Sequence, residues 1–564
     1  MIIFKRILYI MFILFQTSLL AVPTASTLLK EQREEEQKTI QKKPSKPILK
    51  TDDTSKFNKS SIKIKVKEFI LIGDITIFNK TYIQALIKPN LNKTIGIKQL
   101  YNVLDIIKNI YKSKGYFTIK VFFPKQDITT GIVTIKIIES KIEPSKDGIQ
   151  IISQDSKLSS LLAYNIVTNH IKKGKVLNKN KLERAILLLN DIPATQASLN
   201  LKKGSIENTT RVLIDIKQNK ISNPYISFNN NGSRSTGAYK LVIGNDFKNL
   251  SPYGDELKLN FTNSFSAGKL QMLSSDYSSL LGSHGLRAGI KANLLDYKVG
   301  KEYETLNLNG RSISFGFYTL YPIIKQKQIS LSTKISYDIS NLEDKKETAI
   351  TNKKSVKTLR LSSIINKTDT FYGGGYNSFD FTIHNVNTNI KDLSSYTSDQ
   401  ANTGERTNGH GYKVSFTANR IQSIDEKTSL KLNTSGQYAF SNLDSSEKFS
   451  LGGASGVRAY PTSEASGNHG LKISLTANYK LSNNLKFIGF YDWGKIKQYV
   501  NEYEIAISNP SSYSLKGYGV GLNFFNTNGL SSSITYAKKH NAILSNADGT
   551  KDNGRFWFNL RKGF

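Results

Sequence analysis

The chain has 564 residues, 38% hydrophobic and 10% aromatic, with no cysteine; this length supports two or more packed domains and excludes disulfide staples and thiolate chemistry. A formal charge of +34 invites a nucleic-acid reading, but the lysines are spread along the chain and not gathered into basic blocks with interleaved aromatics, so no nucleic-acid partner is expected. Residues 61–220 hold 27 Lys and Arg against 12 Asp and Glu, a dense positive region able to steer an anionic partner, or simply the product of a lysine-rich coding bias.

Lys5-Arg6, the apolar run Ile7–Phe15 and small residues up to Ser26 have the zones of a secretory signal peptide over residues 1–26. Cleavage after Ser26 satisfies the small-x-small rule through Thr24; cleavage after Ala21 would put Leu19 three positions back. The run is too short to span a membrane, and no later stretch reaches about 18 apolar residues. Any insertion must therefore be by a β-barrel. Residues 27–43 are good helix formers, with Glu34 four before Lys38 and Lys38 four before Lys42. Almost no face of this helix is apolar, which places it in solvent or in a wet cavity. Pro44 and Pro47 stop it, and residues 44–60 form a linker.

A small α+β unit follows over 61–145. Ile62, Ile64 and Val66 alternate with lysines as a strand; Thr81–Lys88 is a short helix, and Gly96–Lys114 a longer one with Leu100, Val103, Leu104, Ile107 and Tyr111 on one stripe. Gly115 ends that helix, and strands run over Phe117–Phe122 and Gly131–Ile138. The order strand, helix, helix, strand, strand recurs over 146–220, in Gly148–Ile152, Leu158–Ile171, Lys179–Leu189, Ala197–Leu201 and Val212–Ile216, so the unit is a tandem module. From Asn230 helical stripes vanish, and short alternating segments broken by Gly, Asn, Asp and Ser take over. Residues 221–564, at roughly ten residues per tilted strand plus turns, suit a barrel of about 16 strands. Phe556, Phe558, Leu560 and Phe564 share one face of the last segment, and Asn559 and Arg561 the other, as in a closing strand with a lipid face and a wet face. The fold class is mainly β: two α+β modules, then a 16-stranded transmembrane barrel.

Several motifs stand out. The first module carries Tyr111-x-x-x-Gly115-Tyr116 and then Pro124-Lys125-Gln126-Asp127-Ile128-x-x-Gly131; the second carries Leu177-Asn178 and a leucine-rich run ending Asn190-Asp191-x-Pro193. Taken singly, Gly115 is a helix terminator, Pro124 a strand-edge residue and the leucines core. Gly452-Gly453-Ala454-Ser455-Gly456-Val457-Arg458-Ala459-Tyr460-Pro461 lies in a loop just before the strand Leu471–Tyr479, and Phe490-Tyr491-Asp492-Trp493-Gly494 lies beyond it. By order and spacing, the chain resembles the TpsB family of two-partner-secretion transporters, the haemolysin secretion/activation proteins, over essentially its whole mature length.

The resemblance implies two periplasmic POTRA domains, a plug helix at 27–43 and an outer-membrane barrel with an inward-folded loop at about 448–470. In such a loop Arg458, flanked by Gly456, Val457, Tyr460 and Pro461, is the tip, and Asp492, between Phe490 and Gly494, is its partner on the inner wall; Arg with a carboxylate gives a planar two-point hydrogen bond suited to a partly dehydrated lumen. Gly115, Tyr116, Pro124, Gln126, Asp127 and Gly131 correspond to the POTRA motif, and Phe556 and Phe564 to the C-terminal barrel-assembly signal. Two departures stand out. Ala459 replaces the commoner glycine, which puts a positive φ there in question, and Asn468-His469-Gly470 replaces the usual Gly-Asp-x-Gly ending. The implied partners are a secreted TpsA-type exoprotein client, outer-membrane lipid and the machinery that inserts barrels; no cofactor is implied. Rival readings are a BamA-like assembly factor, a barrel-anchored surface adhesin or enzyme, and a simple diffusion porin.

Enzyme signatures are not found. Gly232 to Gly237 has GxxxxG spacing, but Ala238-Tyr239 follow where a phosphate loop needs Lys and Ser or Thr. The six histidines never fall at metal-ligand spacing, and no Gly-x-Ser-x-Gly occurs. The loop Asn387–Gly411 is expected to be exposed and disordered.

Overall fold

A computed structural model describes residues 23–38, 63–154, 156–266, 268–462, 464–502, 511–540 and 552–564. The signal-peptide core, the end of the 27–43 helix and the 44–60 linker lie outside the described residues.

In the first module β2 (Glu68–Ile72) runs parallel to β5 (Ile132–Glu139), which pairs antiparallel with β4 (Ile119–Phe122). Ahead of β2, β1 (Lys63–Lys65) forms a separate ribbon with β3 (Thr94–Gly96). The expected strand Ile62–Val66 is thus only part of the story: period-2 alternation continues through Glu68–Ile72, and pairing partners, not periodicity, decide which stretch enters the sheet. Between them lie α2 (Lys80–Ile87) and α3 (Ile97–Ser113), following α1 (Ala25–Lys38). The stripe on α3 is buried as expected, closing one core with Ile135 and Ile137 of β5. Tyr111 Oη donates to Glu139 Oε1 at 2.7 Å, and the same carboxylate accepts the Thr76 and Ile77 N–H groups at 2.9 and 3.0 Å. Burial and the neighbouring Glu139 push the phenol well above its ordinary pKa, so it stays a donor.

In the second module β9 (Thr209–Gln218) is central. It pairs in parallel with β6 (Lys141–Ile142) and β7 (Ile149–Gln154) and antiparallel with β8 (Thr195–Lys203), under helices α4 (Ser160–Thr168) and α5 (Lys179–Asn190). Because Lys141–Ile142 already belongs to this second sheet, the modules divide near Ser140 and not at 145. Glu143, just past that junction, is clasped by Arg211 Nε at 2.8 Å and Nη2 at 3.1 Å and accepts from Ser145 Oγ at 2.6 Å. The Arg211 guanidinium, with Ser145, holds its carboxyl down at about 2. A depressed folded pKa contributes stability above the unfolded value of about 4.3 and loses it as pH falls towards 2. Acid titration followed by circular dichroism is expected to destabilise the second module across that window, and Arg211→Met is expected to remove that window's contribution.

Sixteen antiparallel strands, from Ser222–Asn229 to Gly554–Gly563, close into a barrel. The last strand returns to the first, Tyr225 opposite Gly563 through Asn229 opposite Asn559. Outward positions carry an exposed apolar band that includes Ile243, Phe261, Phe315, Leu361 and Tyr536. Most inward positions are polar, among them Ser274, Ser314, Ser362 and Asn419, the alternation a closed transmembrane sheet requires. No helix among the described residues is long and apolar enough to cross a membrane. The stretch expected as a disordered loop at Asn387–Gly411 is instead ordered: the strand Gly375–Ile390 runs through its start, Leu393–Gln400 is helical, and Gly409–Ser423 resumes the barrel. Asp392 caps the helix through Ser395 N at 2.9 Å, and Asp399 accepts from Thr407 N and Asn408 N at 2.9 and 3.0 Å. Polar composition suggested disorder because these carboxylates find their donors only in the folded loop.

The second module is fixed to the near end of the barrel. Arg184 donates to Pro322 O at 2.7 Å and Ile323 O at 3.0 Å, and Lys325 pairs with Asp191 at 2.6 Å.

Candidate functional site

Helix α1 lies in the barrel lumen. Its sequence lacks a stripe, yet Ala25, Leu28 and Leu29 are buried against wall residues that include Leu270, Met272, Leu295 and Val386. The apolar residues are bunched in the first turn, so no periodicity announces them. The Ala25 N–H reaches Asp344 Oδ1 at 2.9 Å, an oxygen that also accepts from Tyr297 Oη at 2.7 Å. Thus the helix begins inside the segment assigned to the signal peptide.

Between the strands Thr428–Ala439 and His469–Lys480 the chain turns inward. Its arms pair at Phe449–Gly467 and Ser450–Ser466, and Gly453 N–H donates to Tyr460 O at 3.1 Å to close the tip. Gly456 tolerates no side chain, since a Cβ there would lie 1.8 Å from Leu451 O. Ala459 needs no left-handed backbone; among the described residues of this loop the positive φ values belong to Gly453 and Ala465. Alanine therefore fits where glycine is commoner, and its Cβ lies where a Cβ on wall residue Gly517 would approach to 2.6 Å. Gly494 likewise leaves room for Leu451, whose Cδ2 would lie 2.5 Å from a Cβ at that position. Pro461 follows Tyr460, which is buried together with Val457.

Arg458 meets Asp492 in the two-point geometry: Nε to Oδ2 is 2.8 Å and Nη2 to Oδ1 is 2.8 Å, with the Arg458 N–H adding 3.1 Å to Oδ2. Asp492 is 0% exposed and accepts a further bond from Ser474 Oγ at 2.6 Å. The guanidinium lies 3.3 Å from the Phe490 ring centroid, a face-on cation–π contact. Trp557 Nε1 donates to Arg458 O at 2.7 Å. Sequence reasoning missed Trp557; the one available signal was its parity, opposite to the outward Phe556 and Phe558. Asn468, fully buried, accepts Leu443 N–H at 2.8 Å and donates to Gln498 O at 2.6 Å. An amide can make both bonds and an ionised aspartate cannot donate, which accounts for that departure.

Glu447 was also missed. At the root of the loop and 3% exposed, its carboxylate receives Arg33 of α1 at 3.2 Å and Arg360 and Lys413 of the wall at 3.0 and 2.8 Å. Arg33 also donates to Ser340 Oγ at 2.9 Å, and Lys30 to Ser450 Oγ at 2.6 Å. Helix, loop and wall thus share one ion cluster. No sequence spacing links residues so far apart.

The first-module motif residues have structural duties. The Gln126 amide exchanges bonds of 2.7 and 2.6 Å with the Thr134 backbone, and Asp127 accepts from Thr129 N at 2.9 Å. Pro124 lies just past the end of β4. Gly131, at φ 84°, would bring a Cβ to 2.6 Å from Lys65 O. Gly115, at φ 86°, accepts Lys179 N–H at 2.7 Å, Asn178 Nδ2 donates to Lys114 O at 2.9 Å, and Tyr116 bridges to Asn178. Gly115-Tyr116 and Leu177-Asn178, separate motifs in sequence, therefore form the junction between modules. Phe556 and Phe564 face outward at 52% and 62% exposure, and Phe564 N–H reaches Pro224 O at 3.0 Å. Among the described residues no group of His, Asp and Glu is placed to hold a metal.

Comparison with known proteins agrees with this architecture. The family described as haemolysin secretion/activation protein ShlB/FhaC/HecB matches residues 208–524, and the ShlB-type POTRA domain matches residues 64–140. The chain is 28% identical over 488 residues to the heme/hemopexin transporter protein HuxB of Haemophilus influenzae strain 86-028NP, covering 85% of this chain and 83% of that one. It is 22% identical over 461 residues to the outer membrane transporter CdiB of Dickeya dadantii strain 3937, covering 78% and 76%. The solved structure of CdiB from Escherichia coli superposes with a TM-score of 0.76 at 16% identity, over 96% of this chain and 99% of that one.

Proposed function

This chain belongs to the haemolysin secretion/activation family ShlB/FhaC/HecB, the outer-membrane transporters of two-partner secretion, and we propose how its lumen gates the passage of its partner exoprotein. The closed barrel with periplasmic POTRA modules is the pore, and the partner travels through it from periplasm to cell surface. A lumen filled by α1 and the inward loop cannot pass a chain, so opening requires α1 to leave. The observation that carries this reading is the ion cluster at Glu447, which joins α1 to both the loop and the wall. Arg458 with Asp492 then holds the tip while the loop root is released.

Capture of the partner by backbone pairing at an exposed sheet edge of the first module fits that module's open β2 edge. With no nucleotide motif in the chain, progress relies on binding steps and on the partner folding outside. The likeness to HuxB, named for heme/hemopexin transport, favours a partner exported for that purpose over the partner of CdiB. Phe556 and Phe564 serve the insertion machinery as a terminal signal. The contacts of Ala25 with Asp344 favour signal-peptide cleavage after Ala21 over cleavage after Ser26; mass spectrometry of the mature N-terminus decides between the two.

Co-expression with a large exported protein encoded beside this chain tests the transport reading. Partner in the medium or on the surface with this chain, and in the periplasm without it, is the expected result; periplasmic retention in both overturns it for that partner, and outer-membrane protein levels after depletion then test the assembly rival. Removal of residues 27–43 is expected to raise single-channel conductance in planar bilayers. An unchanged conductance would show that α1 does not obstruct the pore.

A further inference from the structure

The lumen wall is not uniformly wet. Where α1 begins, inward positions on neighbouring strands are aliphatic: Leu270, Met272, Leu295, Leu342, Val356 and Val386 are each at most 5% exposed. All lie toward the barrel end remote from the POTRA modules, whereas inward positions nearer the modules are polar, such as Ser274, Ser278 and Ser362. This socket is covered by Ala25, Leu28 and Leu29 of α1. A water-filled pore has no need of such a patch, and withdrawal of α1 would wet it. The remainder of the wall is polar and carries both signs of charge, with Lys291 paired to Asp276 at 3.5 Å and Arg360 and Lys413 to Glu447 at 3.0 and 2.8 Å, so it offers an aliphatic segment no comparable surface.

We infer that the socket is an exit-side binding station for extended aliphatic segments of the translocating exoprotein, which take the place of Leu28 and Leu29. This rests on the transport reading and deepens it: partner and plug compete for one surface, so an arriving segment both displaces α1 and is held near the cell surface. A hydrophobic patch suits this task because it grips many sequences without a fixed hydrogen-bond pattern and releases each as the next arrives.

Site-specific photo-crosslinking of the full chain in detergent tests this directly. A benzophenone amino acid is placed at Val386, or in a second variant at Leu342, and for comparison at Ser332 on the polar wall; each variant is first checked for heat-modifiable migration. The probe is a short biotinylated peptide of alternating valine and threonine, with a serine-threonine peptide as its counterpart. Burial of even two aliphatic side chains favours the valine peptide by about tenfold or more at Val386 and Leu342, and Leu28→Ser with Leu29→Ser raises that labelling further by removing the competitor. Equal labelling by both peptides, or equal labelling at Ser332, overturns the inference. The transport reading is judged separately by partner secretion: a chain that secretes its partner while its socket shows no preference for valine sinks this inference alone.

Discussion

Arg458→Ala is expected to lower surface delivery of the partner by at least tenfold while leaving a heat-modifiable barrel in the outer membrane. The substitution removes both guanidinium bonds from a carboxylate that is 0% exposed and leaves it the Ser474 hydroxyl and one backbone N–H. Breaking a buried pair by deleting one partner costs about 3–5 kcal/mol, enough to undock the tip in most molecules. The Phe490 cation–π contact is lost as well, worth about 1–2 kcal/mol in a desolvated site. Arg458→Lys keeps the charge without the planar fork and should fall between the two. Charge reversal sharpens the test: Arg458→Asp alone and Asp492→Arg alone should each abolish delivery, and the pair together should recover part of it. A double variant no better than either single one would show that the tip is not held by this pair. Quantitative immunoblotting of medium and cell surface reads the outcome.

Glu447→Gln is expected to open the pore without any partner present. The glutamine side chain cannot balance Arg33, Arg360 and Lys413, which converge on the carboxylate within 3.2 Å. Loss of a shared buried anion costs about 3 kcal/mol, so the open fraction in planar bilayers should rise about a hundredfold, with matching sensitivity of cells to large hydrophilic antibiotics. Arg33→Gln is a milder perturbation. It removes one of three cations and leaves Glu447 with Arg360 and Lys413, so a several-fold rise is expected, as for a single partly exposed ion pair of about 1 kcal/mol. Equal opening by the two variants would mean that the loop root takes no part in the latch and that Glu447 serves α1 alone.

Much of this protein was legible in its sequence because local physics and one-dimensional order suffice for it. The α3 stripe from Leu100 to Tyr111 followed from helical period, the outward Phe556, Phe558 and Leu560 from strand parity, and the number of barrel strands from chain length divided by the span of a bilayer. The meeting of Arg458 with Asp492 came from the resemblance to the secretion family, and its bond geometry only from the fold. Other features depend on which surfaces the closed barrel brings together. Leu28 and Leu29 looked like stray apolar residues on a polar helix until a socket built from separate strands covered them. Glu447 gave no sign of its three cations, which come from α1 and two distant strands, and Trp557 read as one more aromatic in a closing strand. Lys141–Ile142 moved to the second module because backbone pairing with Thr209–Thr210, not composition, sets a sheet's edge. Periodicity records which face a residue takes, and only closure of the barrel decides what that face meets.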